Sequence, residues 1–531
     1  MSTDAAAGGL GGPAQRIAAG YSVAGQALEL GTVVVDGDAD PTAQIRIPLA
    51  TINRHGLVAG ATGTGKTKTL QLIAEQLSAA GVPVLMADVK GDLSGLSRAG
   101  EANDKAAARA KDTGDNCKPT AFPVEFLSLG TSGVGVPVRA TISSFGPILL
   151  SKVLGLNATQ ESTLGLIFHW ADQRGLPLLD LKDLRTVISH LTSDEGKAEL
   201  KALGAVSPTT AGVILRALVN LEAEGADTFF GEPELRPDDL IRVDSQGRGI
   251  ISLLEFSGQS LRPVLFSTFL MWALADLFTY LPEVGDLDKP KLVFFFDEAH
   301  LLFTDASKAF LEQVEQTVKL IRSKGVGVFF CTQLPTDLPN TVLSQLGARI
   351  QHALRAFTPD DQKALSKTVR TYPKTDVYDL ESALTSLGIG EAVVTVLSEK
   401  GAPTPVAWTR MRVPRSLMGA IGTAAVAAAA HSSPLQAVYG QTIDRVSAHE
   451  MLSTTYAPAE APPPVQPLRG KYDPLPWPDE IQVPPMPAPV EPKGPGMWEE
   501  ILKNPTVKSA INTGVREITR SIFGTGRRRR K

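Results

Sequence analysis

The stretch Gly60-Ala61-Thr62-Gly63-Thr64-Gly65-Lys66-Thr67 constrains this chain more than any other. It meets the pattern G-x-x-x-x-G-K-[ST] at every position, the signature of a loop that wraps around phosphate. Its three glycines tolerate the positive φ that turns successive backbone N–H groups inward onto phosphate oxygens. Such a loop works only between a buried strand and a helix, whose positive N-terminal end faces the same anion. Both are expected here. His55-Gly56-Leu57-Val58-Ala59 can supply the strand, and Leu70, Ile73, Ala74 and Leu77 mark one face of a helix over residues 67–78. In that geometry residues Gly60 through Thr67, with Lys68, cradle a nucleotide. Lys66 reaches its β/γ-phosphates, and the Thr67 hydroxyl ligates Mg²⁺.

The second half of such a site is legible further on. Leu292-Val293-Phe294-Phe295-Phe296 is an unbroken apolar run, as in a strand buried on both faces, and it delivers Asp297 and Glu298 at its carboxyl end. Asp297 is expected to hold Mg²⁺ through its water shell, and Glu298 to polarise the water that attacks the γ-phosphate. Residues 306–323 read as a helix leading through Arg322-Ser323-Lys324-Gly325 into a strand over 326–331. Gln333, just beyond that strand, either contacts the γ-phosphate or bonds loop backbone. Residues 349–355 read as a further strand carrying Arg355. Upstream, residues 82–88 form another buried strand ending in Asp88. That acid either stands beside the nucleotide crevice or is a turn acid that caps the next helix.

Composition sets the outer limits. The chain has 531 residues, enough for two or more domains or one large α/β core with an insertion, and at 43% apolar and 20% charged it reads as an ordinary soluble globular protein. A net charge of −4 argues against uniform coating of nucleic acid but permits a basic channel. Cys117 and Cys331 are too far apart for a metal cluster or a disulfide framework, which points to a reducing compartment. No apolar run reaches the roughly 18 residues of a spanning helix, and residues 1–20 lack the layout of a signal peptide. The expected location is cytoplasmic.

The expected organisation follows the motifs. Residues 1–20 read as disordered and 21–50 as a short β element. The nucleotide-binding core occupies 51–143 and 246–415, interrupted by a helical insertion over 144–245. In that insertion His169, Trp170 and His190 read as packing residues. A helical extension spans 416–457, with the alanine-rich run 417–430 as a packed helix. Of 38 prolines, 14 fall in residues 458–495, so 458–497 reads as an extended linker. In residues 498–531, Ile501, Val507, Ile511, Val515, Ile518 and Ile522 recur at near-helical spacing before the basic tip Arg527-Arg528-Arg529-Arg530-Lys531. That helix either docks back on the protein or touches a membrane, nucleic acid or a partner groove.

With these residues in view, the chain resembles the HerA/FtsK class of P-loop ATPases, and most closely its HerA-like bacterial members. The resemblance covers residues 45–412. It rests on residues 53–60 running into the phosphate loop, Asp88-Val89-Lys90-Gly91-Asp92-Leu93, Phe296-Asp297-Glu298-Ala299-His300, Thr332-Gln333-Leu334-Pro335 and His352-Ala353-Leu354-Arg355-Ala356-Phe357. It implies a RecA-like α/β core, a homo-hexameric ring that hydrolyses ATP at subunit interfaces, and double-stranded DNA as the translocated partner. The family places an arginine before the sensor strand, reaching the neighbouring subunit's nucleotide. Arg322 fits that position, with Arg355 as second choice. Members that work on DNA ends carry a substantial N-terminal β-barrel, and only a short stretch precedes the loop here. The rival reading is a nucleotide-gated scaffold or a membrane-associated assembly factor.

Overall fold

The computed structural model of the chain describes residues 12–88, 91–101, 103–200, 206–255, 263–285 and 287–455. All belong to one unit, Met1–Ala459. The proline-rich stretch 458–497, the C-terminal helical pattern and the basic tip lie outside the described residues.

Among the described residues, twelve strands form one sheet. In chain order they are β1 (Ala27–Val35), β2 (Asp38–Pro48), β3 (Gly56–Ala59), β4 (Val84–Asp88), β5 (Val124–Leu129), β6 (Val136–Val138), β7 (Ile251–Glu255), β8 (Leu292–Phe296), β9 (Val326–Thr332), β10 (Ala348–Gln351), β11 (Glu391–Thr395) and β12 (Ala407–Met411). In space the order is β2-β1-β12-β11-β10-β3-β9-β8-β4-β7-β5-β6. From β10 to β6 every neighbouring pair is parallel. The four remaining strands continue the sheet antiparallel. Helices cover a parallel sheet on both faces, which is why its strands read as continuous apolar runs. Every residue of β3, β4, β7, β8 and β9 is buried. Stacked rings, Phe295 on Phe329 and Phe296 on Phe330 at 5.3 Å each, hold β8 against β9.

The N-terminal β element is larger than its sequence suggests and is not separate. Strands β1 and β2 form a hairpin through Asp36-Gly37, both at positive φ as a tight two-residue turn requires. Strand β12 then joins this hairpin to the main sheet, with Gly31 opposite Met411. A Cβ on Gly31 would fall 2.0 Å from the Arg410 carbonyl oxygen, so only glycine permits that approach. Residues 1–20 read as unstructured, yet Pro13–Ala19 form a helix with Ile17 buried. A proline in the first turn supplies a ready-made helical φ, and the Tyr21 hydroxyl behind it reaches the carbonyls of Val394 and Pro405 at 2.8 and 2.6 Å.

Between β6 and β7 the helices Ile142–Leu154, Ala158–Gln173, Leu181–Thr192, Asp194–Leu200 and Pro208–Ala223 form the helical layer. Leu184, Val187, Ile188 and Leu191 are one buried stripe of Leu181–Thr192. Trp170 is buried with the His190 ring 5.5 Å away, but His169 is exposed and packs nothing into the core.

Beyond β12 the chain runs back across the sheet. The run 417–430 is not one helix: helix begins only at Thr423, in Thr423–His431, and the preceding residues form a strap. Two short helices follow, Gln436–Tyr439 and Ala448–Thr455. Buried polar groups fasten this arm. Arg139 donates to the Tyr439 carbonyl at 2.8 Å, the Tyr439 hydroxyl to Asp239 at 2.5 Å, and Asp183 accepts from the His449 backbone at 2.8 Å. Among the described residues, no helix is long and apolar enough to cross a membrane.

Candidate nucleotide site

Strand β3 leads straight into residues 60–67, and the helix Lys66–Ala79 leads out. Gly60, Gly63 and Gly65 have φ of 151°, 82° and 114°, a region that side chains avoid. At Gly60 an added Cβ would also lie 2.6 Å from the Cβ of His352. The loop is pinned at three points: Gly60 N–H to the Thr332 carbonyl at 3.2 Å, Ala61 N–H to Ala353 at 2.8 Å, and Gly390 N–H to Thr64 at 3.1 Å. The Lys66 ammonium bridges the loop, 2.6 Å from the Gly60 carbonyl oxygen and 3.2 Å from that of Ala61. Thr62 and Gly63 are exposed, whereas Lys66, Thr67 and Lys68 are half-buried in the first helical turn. Burial lowers the Lys68 ammonium's pKa, opposed by Asp92, Asp88 and Glu75.

Strand register brings the acids to this loop. Ala59 stands opposite Thr332, and Phe296 opposite Phe330. The carboxyl ends of β3, β9 and β8 are therefore level, and Asp297 and Glu298 emerge one strand away from the loop. Asp297 Oδ1 accepts from the Glu298 backbone N–H at 2.9 Å. Glu298 itself has φ 47°, a strained value that turns its side chain out of the strand direction. Its carboxylate lies 3.5 Å from His300 Nδ1. Burial, then Asp297, pushes the Cys331 thiol well above its usual value, so it stays protonated beside that carboxylate. Gln333 is exposed at the tip of β9.

Asp88 is foremost a turn cap: it accepts from the backbone N–H groups of Asp92 and Leu93 at 3.1 and 2.8 Å. It also faces Glu255 across the β4–β7 register. Burial, then Glu255, raises its pKa to about 7. The two arginines part company. Arg355 lies past the end of β10, not on a strand, and donates to the Thr62 carbonyl of its own loop at 3.3 Å. Arg322 is exposed at the amino end of β9. Seven residues of β9 rise about 20 Å between it and the loop edge of the sheet.

Two buried histidines brace the site. His55 accepts the Val328 N–H on Nδ1 at 3.1 Å and donates from Nε2 to the Val318 carbonyl at 2.8 Å. His352 stands between the loop helix and β11, with Nε2 2.9 Å from the Thr69 hydroxyl and Nδ1 2.8 Å from the Glu391 carbonyl. Burial lowers both pKa values from 6.5 to about 4. Each is neutral when folded, so stability is complete above 6.5 and falls as pH drops towards 4. At pH 5 this linkage removes about 2 kcal/mol per histidine. Asp88, its pKa raised to about 7, gains stability over the same interval and offsets part of this loss. The expected result is therefore that the change in melting temperature between pH 7 and pH 5 becomes less destabilising in His55→Gln than in the unaltered chain; an identical change in both would refute it.

Sequence reasoning missed one wall of the site altogether. Beside Gly65 and Lys68 opens a cleft of about 500 Å³, bounded by Arg109, Ile389, Met411 and Met418. Arg109 closes one end, donating to the carbonyls of Ile389 and Gly390 at 3.1 Å each. These residues come from four separate segments, and no local pattern joins them. A different cleft of about 520 Å³, lined by Phe168, His169 and Leu176, opens in the helical layer and touches none of the loop residues.

The sheet order and phosphate loop define a RecA-like P-loop α/β core. The chain belongs to the helicase HerA-like C-terminal family, whose profile matches residues 34–530. A probable helicase of Methanocaldococcus jannaschii is 34% identical over 116 residues, 21% of this chain and 20% of that one, so the match spans a fifth of that relative. The plasmid coupling protein TrwB in complex with the non-hydrolysable ATP analogue ADPNP aligns with a TM-score of 0.51 at 18% identity, covering 77% of this chain and 95% of that one. TrwB in complex with ADP and Mg²⁺ aligns with a TM-score of 0.51 at 16% identity, covering 77% and 93%. At such identities the likeness is one of fold.

Proposed function

We propose that the chain is an ATP-hydrolysing ring motor, a homo-hexamer that moves along double-stranded DNA. One observation carries the reading: the loop 60–67 and the pair Asp297–Glu298 meet across the tip of β9. In this reading the loop's N–H groups and Lys66 hold the β/γ-phosphates, Glu298 takes a proton from the attacking water, and Gln333 contacts the γ-phosphate. Thr67 and Asp297 offer the oxygen donors a hard cation prefers. Mg²⁺ held there supplies positive charge against the phosphate oxygens. Arg322, on the edge remote from its own loop, serves a neighbouring subunit. Family membership and the nucleotide complexes of a protein of like fold support this reading.

Duplex DNA is the expected partner, bound by phosphate contacts without base reading. The test is the ATPase rate against duplex concentration at two salt levels. Stimulation should weaken steeply with salt as counterions are released, and change little when the DNA sequence is swapped. Removing residues 498–531 should leave the basal rate intact; it weakens DNA binding and makes the salt slope shallower only if Arg527 to Lys531 contribute phosphate contacts. A rate indifferent to DNA at low salt but stimulated by liposomes would replace this reading with the membrane-associated one.

A further inference from the structure

The cleft beside Lys68 has an unusual division of polar and apolar groups. Its wall is the end of β12 and the strap that follows, where Met411, Val413, Pro414 and Met418 line the cavity. Five backbone donors of this stretch are committed elsewhere. Met411 N–H reaches the Gly390 carbonyl at 2.9 Å, Arg412 N–H that of Leu30 at 2.8 Å, and Leu417 N–H that of Arg98 at 2.9 Å. Arg415 and Ser416 N–H groups both turn to the Glu75 carboxylate, at 2.8 and 2.9 Å, and the Ser416 hydroxyl donates to it as well. Glu75 is only 1% exposed, in the middle of the loop helix. One turn earlier Gln71 Nε2 donates to the Ser416 hydroxyl at 2.7 Å and the Leu417 carbonyl at 3.0 Å. The opposite wall also carries Lys105, and two of its other polar side chains are engaged. Asn103 Oδ1 accepts from the Ala106 N–H at 2.8 Å, and Arg109 spends both terminal nitrogens on carbonyls.

Resting on the function proposed above, we propose that this cleft receives the nucleobase by apolar contact without reading its edge, and that Glu75 is the positioning residue that sets the cleft's width. The protein then takes purine nucleoside triphosphates with little regard to the base. Direction supports the placement: a triphosphate seated in residues 60–67 extends its nucleoside past Lys68 and Thr69, which line the cleft. A volume of about 500 Å³ suits a nucleoside. Selecting guanine calls for a carboxylate facing its N1 and N2 hydrogens, and among the described residues no aspartate or glutamate lines the cleft. Apolar pockets separate near-isosteres by about 10² at most, whereas sites built on hydrogen bonds reject the wrong ligand by about 10⁴ or more. Glu75 acts at a distance. It draws the Arg415 and Ser416 N–H groups onto the loop helix and so fixes the strap that carries Met418.

The experiment compares ATP with GTP in steady-state hydrolysis, and ADP with GDP in calorimetric binding, on the full chain. The expected kcat/KM values lie within about tenfold of each other, with comparable affinities for the two diphosphates. Glu75→Gln replaces an acceptor with an amide that faces donors. It should raise KM for ATP and GTP together while kcat is retained. Met418, 43% exposed, tolerates truncation, and Met418→Ala should raise both KM values by a similar factor. A GTP preference or penalty of about 10³, or tight ADP binding without GDP binding, overturns the inference while leaving the ATPase reading standing. Binding of neither diphosphate and hydrolysis of neither triphosphate overturns both. A folded Glu75→Gln with unchanged KM refutes the positioning role.

Discussion

Lys66→Ala is expected to fold normally and to lose ATP, with Kd raised by about 10² to 10³, the cost of removing a charge from a hydrogen-bonded ionic contact. The loop keeps its shape in this variant. Its three backbone anchors, to Thr332, Ala353 and Gly390, do not involve the lysine. Glu298→Gln is expected to do the opposite. It keeps the backbone bond from residue 298 to Asp297 Oδ1, so the carboxylate proposed to hold the metal stays in place and ATP is expected to bind. Without a general base, turnover falls by about 10² to 10⁴. Equilibrium ATP binding and single-turnover hydrolysis on both variants separate the two roles. Normal binding and wild-type turnover in both would overturn the site assignment.

Arg322→Ala is expected to bind ATP and to hydrolyse it about 10³ to 10⁵ times more slowly, the usual worth of an arginine supplied to the transferring phosphoryl group. The basis is distance. The residue stands a full strand length from its own loop, so any contact with a nucleotide is made on another copy. Mixing Arg322→Ala with Lys66→Ala subunits should therefore restore part of the activity, since an intact pocket can then face an intact arginine. Arg355→Ala supplies the control. Its side chain bonds the Thr62 carbonyl of its own loop, so pairing that variant with Lys66→Ala leaves no complete pocket and should restore nothing. An active monomer, or no recovery in the Arg322→Ala mixture, would count against the ring.

The local devices were legible because they are local. A loop of eight consecutive residues needs glycine where φ is positive and lysine where the helix begins, and the chain shows both. A strand buried on both faces must be apolar throughout, so Leu292 to Phe296 announced itself, and so did the acids at its end. The helical layer was readable for the same reason, since apolar stripes at helical spacing require no knowledge of what they face.

Tertiary structure decided the rest. That β9 lies between β3 and β8 is a property of strand order, yet it alone places Asp297 beside a loop more than two hundred residues earlier in the chain. The run 349–355 reads as a single strand, which would put Arg355 on it. The strand stops at Gln351, and the chain turns across the loop instead. Glu75 gave no signal. An acid on an amphipathic helix ordinarily faces water, and here it is buried because the strap brings three donors to it from some 340 residues away. Short-range spacing determines what a segment can be. Which segments share a wall depends on hydrogen bonds and packing between residues far apart in sequence, and these arise only once the sheet has closed.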